Sequence, residues 1–252
     1  ILSRQKRFAP DEYWYFTDNR QELYFKQVFR VAKKAGLVPE NTELKFFGFG
    51  TMNGSDGKPF KTRAGGVMNL TDLMEMVKEI TASKLNMELV KEEDKDETSE
   101  KISIAALKYA DFLPYRSKDF IFDVTKFADL DGKTGPYLLY STVRMNSLLE
   151  KSGIELDDKK IEKILGVEKE TVRILLELPN ILKNSIESKS LNEIADYLYR
   201  LTSSYNKFYA ENHILTCKDD SLKETWLVLT KLVKDTNLLL LNILAIEVPE
   251  KM

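Results

Sequence analysis

Cysteine and histidine are almost missing from this 252-residue chain, which has one of each, Cys217 and His213. A single thiol excludes an intrachain disulfide, and one histidine excludes the usual His/Cys zinc clusters. The two residues are close in sequence, but two ligands are too few for a metal, and no nucleophile triad can be built around them. So few cysteines fit a reducing compartment, and a cytoplasmic protein is expected. Excess charge of one sign is lacking as well: 38 Lys and Arg against 40 Asp and Glu leave a formal charge of -2. That balance excludes a protein held to nucleic acid by bulk electrostatics, although a locally basic face can still serve a folded RNA. Long hydrophobic runs are missing too. The longest, Leu238 to Ile246, is broken by Asn242 and is too short to span a bilayer, and the start Ile-Leu-Ser-Arg-Gln-Lys-Arg lacks a signal-peptide core.

What the chain does have is a glycine-rich loop behind an apolar run. Leu44, Phe46, Phe47 and Phe49 read as a short buried strand, and Gly48 and Gly50 at its end would let backbone approach a flat ligand. Lys58, Lys61 and Arg63 follow, flanked by Gly54, Gly57, Gly65 and Gly66, an arrangement able to close cations over a polyphosphate. A solvated glycine and lysine hairpin has the same composition, and the order of residues is not that of a P-loop.

Tyr13 to Thr17 reads as a strand and Gln21 to Ala35 as a helix, with Leu23, Phe25, Val28, Phe29, Val31 and Ala32 at helical spacing and Gly36 closing it. With the strand at 44 to 49 this makes a βαβ unit, whose ligands belong beyond the carboxyl ends of its parallel strands. Two strands are not a whole sheet, and further strands are expected before residue 1. Asn69 or Thr71 caps a predicted helix to about Thr81, with Leu70, Leu73, Met74, Val77 and Ile80 on its buried face. The charge run from Glu88 to Lys101 reads as a solvated linker or helix surface, Ile102 to Tyr109 as a helix, and Asp119 to Asp123 as a short strand. After Pro136 the pattern is helical: Tyr137 to Lys151 closed by Gly153, shorter segments to Ile186, then two long helices. One stripe holds Leu191, Ile194, Leu198, Leu201, Tyr205 and Phe208; the other holds Leu222, Trp226, Leu229, Val233, Leu240 and Leu244. An antiparallel pair joined through His213 to Asp220 is the simplest packing.

Particular words along the chain carry a resemblance. Tyr15 to Phe29, Gly48-Phe-Gly, Phe60-Lys-Thr-Arg-Ala-Gly65, Gly135-Pro-Tyr-Leu-Leu-Tyr140 and Arg144 closely resemble the C-terminal portion of class I arginyl-tRNA synthetases. The final Ile-Glu-Val-Pro-Glu-Lys-Met252 resembles that family's own carboxyl terminus. The resemblance implies an α/β partial Rossmann-like nucleotide-binding sheet followed by an all-α anticodon-binding helical bundle. The divisions expected are 1–100 for the second half of the catalytic domain, 101–135 for a connecting region and 136–252 for the bundle. It further implies ATP-dependent ligation of arginine to its tRNA, with magnesium on the phosphates, tRNA as partner, and a monomer. The HIGH signature is absent from the chain, so this piece alone is not expected to make adenylate. The alternative is a non-catalytic tRNA-binding or regulatory paralogue.

Site residues follow from the same likeness. Gln21, by itself also a plain helix N-terminal residue, is assigned to the amino-acid substrate, and Tyr24, Gly48, Gly50 and Lys58 to the adenylate. The family usually has histidine at Tyr24, and again histidine and a small aliphatic residue at Phe46-Phe47. Phe60 to Gly65 resembles the mobile KMSKS loop, so Lys61 and Arg63 are the expected catalytic cations, neutralising pyrophosphate. Tyr137, Tyr140 and Arg144 share one helix face, and Tyr205 and Tyr209 lie one turn apart on another. Core aromatic packing explains such spacing equally well, and Tyr205 also fits the apolar stripe. Aromatic rings beside an arginine are what unstacked RNA bases require. With the family's pattern, Tyr137, Tyr140, Arg144, Tyr205, Tyr209 and Met252 are assigned to the anticodon loop, and Trp226 to the core. Tyr197-Leu-Tyr-Arg200 reads as interfacial packing.

Overall fold

The computed structural model describes residues 1–54, 56–58, 69–84, 90–156, 161, 166 and 168–252. They fall into two compact units, one from Ile1–Gly65 with Pro114–Phe122, the other from Gly66–Leu113 with Asp123–Met252.

The first unit opens with helix α1 (Leu2–Phe8), which buries none of its residues and was not foreseen from the sequence. Its Gln5 accepts a 2.8 Å hydrogen bond from the Tyr13 hydroxyl. Strand β1 (Glu12–Asp18), a short 3-10 turn, helix α2 (Glu22–Lys34) and strand β2 (Glu43–Phe49) then make the expected parallel βαβ unit, in register from Glu12 opposite Glu43 to Asp18 opposite Phe49. Alternation along β1 decides which side meets the helix. Tyr15 lies 5.1 Å from the Phe25 ring and 5.3 Å from that of Phe29, and Phe25 also meets Phe46, so aromatic rings make the helix-to-sheet layer. The opposite face carries Trp14 and Phe16, both about half exposed. Only Ala32 of α2 is fully buried, and Leu23 and Val31, expected on the buried face, point to solvent. Gly36 takes a φ of +62° just past the helix end, and Lys33 Nζ ties the following turn by donating to the carbonyls of Pro39, Glu40 and Thr42. A second small parallel sheet pairs β3 (Met52–Asn53) with β4 (Phe120–Ile121), the latter inside the strand expected from Asp119.

The second unit is helical: α3 (Leu70–Lys84), α4 (Lys95–Phe112), α5 (Val124–Phe127), α6 (Gly135–Ser152), α7 (Glu168–Leu175), α8 (Leu178–Ser188), α9 (Asn192–Glu211) and α10 (Asp220–Ile243). Side-chain caps set several starts. Asn69 accepts from the Asp72 amide, Thr134 from that of Tyr137, and Asp219 from that of Leu222, while Gly153 ends α6 at φ +62°. Leu73 and Val77 of α3 are buried as expected, but Leu70 is exposed. Tyr205 meets Thr230 and Thr202 meets Asn237, so α9 and α10 run antiparallel. Asn237, fully buried, also donates to Thr142 of α6. Gly135 lets α6 press on α4: a Cβ there would lie 2.2 Å from the Ala105 carbonyl oxygen.

Boundaries differ from those expected. Helix α4 begins inside the charge run and passes unbroken through residue 100, burying Thr98 and Ser99 as well as Ile102, Ala105 and Tyr109. Its Tyr109 hydroxyl donates to the Ala195 carbonyl of α9, which fixes it in the helical unit. In the first turns of α4 surface charge on the exposed side concealed a buried side of small polar residues, Thr98, Ser99 and Ser103, whose periodicity carries little hydropathy.

Candidate functional site

The residues assigned from the sequence fall into two groups, one in each unit. In the first, the carboxyl ends of β1 and β2 bring Asp18 and Gly48 near the entry to α2. Hydrogen bonds from the Arg20 guanidinium, at 2.6 and 2.8 Å, and from its backbone amide hold the Asp18 carboxyl down to about 2. Gln21 and Tyr24 stand exposed at the start of α2. Lys58 is exposed at the end of a tight turn in which its carbonyl accepts from the Gly54 amide, with Gly57 at φ +73°. Lys61 and Arg63 lie outside the described residues.

The glycines carry a correction. A Cβ on Gly48 would sit 2.0 Å from the Asn19 side-chain oxygen, and one on Gly50 would sit 2.3 Å from the Lys118 backbone. Asn19 is itself held by a 2.7 Å bond to the Ser117 carbonyl, and the Gly50 amide donates to that of Arg116. The close approach that requires glycine is therefore made by the chain itself, by Asn19 at Gly48 and by the Lys118 backbone at Gly50, where the sequence had suggested a flat ligand. Phe46, one of the departures from the family's usual residues, is spent on the ring layer against Phe25, and Tyr24 sets its ring edge-on to Phe25 at 5.4 Å. Among the described residues no group of three or more His, Cys, Asp or Glu is placed to hold a metal.

In the helical unit, α6 and α9 bring Tyr137, Tyr140, Arg144 and Tyr209 together. The Arg144 guanidinium carbon lies 4.6 Å from the Tyr209 ring centroid and 5.6 Å from that of Tyr140. Its Nη2 donates to Asn206 Oδ1 at 2.6 Å, and Asn206 Nδ2 donates to the Tyr137 hydroxyl at 2.7 Å and to Ser141 Oγ at 2.8 Å. Burial raises the Tyr137 hydroxyl pKa, an effect partly opposed by the bond from Asn206. Tyr140 is 40% exposed and Tyr209 half-buried, so rings and cation form a face open to solvent on one side. Such a face can stack an unpaired base and offer a cation to a phosphate or base edge.

Two assignments do not belong to it. Tyr205 is 1% exposed, its hydroxyl shared with Thr230 and its ring against Phe208, which leaves no face for a base. Its place in the apolar stripe of α9 decided the matter. Met252 is likewise buried in the hydrophobic core. Trp226 packs edge-on to Phe208 at 5.8 Å against the core, as expected, and Tyr197 is fully buried. Asn206 and Ser141 were missed, since a small polar residue on a helix gives no signal until its neighbours on another helix are known.

Residues 1–124 match the family described as tRNA synthetases class I (R), catalytic domain, and residues 138–252 match the DALR anticodon binding domain. Along its whole length the chain is 41% identical to an arginine-tRNA ligase of Alkaliphilus oremlandii and 37% identical to one of Francisella tularensis subsp. novicida, covering 44% of each. Its fold matches the arginyl-tRNA synthetase of Plasmodium falciparum with a TM-score of 0.80 at 24% identity, over 100% of this chain and 43% of that one. The Thermus thermophilus arginyl-tRNA synthetase gives 0.80 at 21% identity, over 96% and 41% respectively. The chain thus spans less than half the length of these relatives.

Proposed function

Because the chain belongs to the class I arginyl-tRNA synthetase family, we propose that it is the portion of an arginine-tRNA ligase that docks the anticodon loop and contributes one side of the nucleotide site. The whole reaction joins the arginine carboxylate to the α-phosphate of ATP with loss of pyrophosphate, then passes the arginyl group to a hydroxyl of the terminal ribose of its tRNA with release of AMP. In this portion Gln21 offers a neutral amide to the amino acid at the carboxyl end of the sheet. Lys58, with Lys61 and Arg63, supplies charge where pyrophosphate leaves, a role that rests on electrostatics more than on fixed geometry. Magnesium brings further positive charge to the phosphates when bound; the described residues of this chain offer no carboxylate cluster for it.

In the helical unit Tyr140 and Tyr209 receive unstacked bases of the anticodon loop while Arg144 takes a phosphate or base edge. The protein acts as a monomer in the cytosol; among the described residues no helix is long and apolar enough to cross a membrane. The observation that carries this reading is the Arg144 guanidinium set beside two rings on a solvent-facing side. Arginine-dependent exchange between ATP and pyrophosphate, measured with tRNA present on the product of the complete gene, tests the ligase; no exchange ends that part of the reading. For the anticodon part, Tyr140→Ala should weaken binding of arginine tRNA to this chain, and unchanged affinity would count against it.

A further inference from the structure

We propose that Asn206 is a positioning residue of the RNA-binding face, its side-chain amide fixing the plane in which Arg144 presents its guanidinium between Tyr140 and Tyr209. The proposal deepens the reading of that face as the anticodon-loop site and rests on it. Both amide hydrogens of Asn206 are used, one on the Tyr137 hydroxyl at 2.7 Å and one on Ser141 Oγ at 2.8 Å. Its carbonyl oxygen is thereby turned toward Arg144 Nη2, 2.6 Å away. The reverse amide orientation would set N–H groups against the guanidinium.

Contact with ring faces restrains how far a guanidinium stands from them but hardly its rotation, because attraction to a ring face is weakly directional. A hydrogen bond does fix rotation. Arg144 Nε is buried without a partner among the described residues, so the Asn206 bond is what sets the head group's angle there. An arginine held in one orientation before RNA arrives loses less side-chain freedom on binding.

The test uses the full chain with isotope-labelled arginine, the Arg144 side-chain signals being identified by their loss in Arg144→Lys. Slow rotation about the guanidinium bonds is expected in the wild type and in Asn206→Asp, which keeps an oxygen facing Arg144; averaged signals are expected in Asn206→Ala. In parallel, affinity is measured for a short RNA hairpin carrying the loop of an arginine tRNA. Asn206→Ala should bind up to about tenfold more weakly, the weight of ordering one long side chain on binding. In an Arg144→Ala background the same change should alter affinity by less than about twofold, since coupled residues are not additive. Unchanged Arg144 signals in Asn206→Ala overturn the proposal. So does equal weakening in both backgrounds, the mark of a merely structural role, which would also appear were the variant misfolded. Should the wild type prefer the hairpin no more than a scrambled loop, and Arg144→Ala bind it equally well, the anticodon reading itself fails and the proposal with it. That failure is told apart by Arg144 signals that still respond to Asn206.

Discussion

The Arg144 guanidinium carbon stands 4.6 Å from the centre of the Tyr209 ring, a contact between helices α6 and α9. Tyr205, one turn before Tyr209 and stacked on it at 6.2 Å, lies deeper in the bundle and is fully buried. One helix thus holds two tyrosines in ring contact, one buried and one at the surface.

Their variants should separate two kinds of loss. Tyr209→Ala is expected to cost less stability than Tyr205→Ala while weakening RNA binding by about 1–3 kcal/mol, the range for one stacked base. Tyr205→Ala empties a filled core position and should cost about 3–5 kcal/mol of stability. Hairpin affinity and urea unfolding read the two effects. A Tyr205→Ala protein as stable as wild type would contradict the burial, and a Tyr209→Ala protein with full affinity would contradict the surface role.

Gly135 should be among the least replaceable residues of the bundle. In Gly135→Ala the new methyl meets backbone, the Ala105 carbonyl, which cannot rotate aside, so α6 must move off α4. Overpacking of this kind costs about 1–3 kcal/mol. Gly153→Ala meets no neighbour and should lose only about 1 kcal/mol through its left-handed backbone. Denaturant midpoints that put the two variants in the opposite order would refute this account.

In the first unit, Gly50→Ala should loosen segment 116–122 from the end of β2. The amides of Phe120 and Phe122, which donate to the carbonyls of Thr51 and Asn53, are expected to exchange with solvent faster. Amides within the β1–β2 ladder should hold their protection, because that pairing does not depend on Gly50. Equal protection of Phe120 in both proteins would show that the close approach is not needed.

Acid and alkali act on different groups. Hydrogen bonds from Arg20 hold the Asp18 carboxyl at about 2, below the ordinary aspartate value of about 3.9, so its stabilising contribution is complete above that value and disappears as pH falls through about 2. Its titration followed by nuclear magnetic resonance should have a midpoint near 2, and Arg20→Ala should return it toward the ordinary value. Burial pushes the Tyr205 hydroxyl up to about 12, so its contribution is whole below the ordinary tyrosine value of about 10 and is lost as pH rises through about 12. Tyr197 shares that limb for the same reason. Tyr205→Phe should therefore reduce the alkaline loss of stability seen by tyrosinate absorbance and helical circular dichroism without removing it.

Much of the architecture was legible in the residues. Tyr13 to Thr17, Phe25 to Ala32 and Leu44 to Phe49 spelled a βαβ unit because strand and helix periods are local properties. Asn69, Pro136 and Gly153 marked helix ends for equally local reasons, the conformations and hydrogen bonds that termini need. Spacing also put Tyr140 and Arg144 on one face of α6. Helix α1 escaped notice because it buries nothing and so leaves no apolar stripe. The reach of α4 through residue 100 escaped because Thr98 and Ser99, small and polar, form its hidden side there.

By itself the sequence determined which segments coil or extend, which family they belong to, and which residue types stand ready for RNA and phosphate. Tertiary structure alone decided that Tyr209 faces solvent while Tyr205 does not, that Asn206 grips Arg144, and that Gly48 and Gly50 make room for the chain's own Asn19 and Lys118. The reason is distance: helical and strand periods are set by neighbours a few residues away, whereas these contacts join residues 25 to 98 positions apart, whose meeting depends on how whole elements pack.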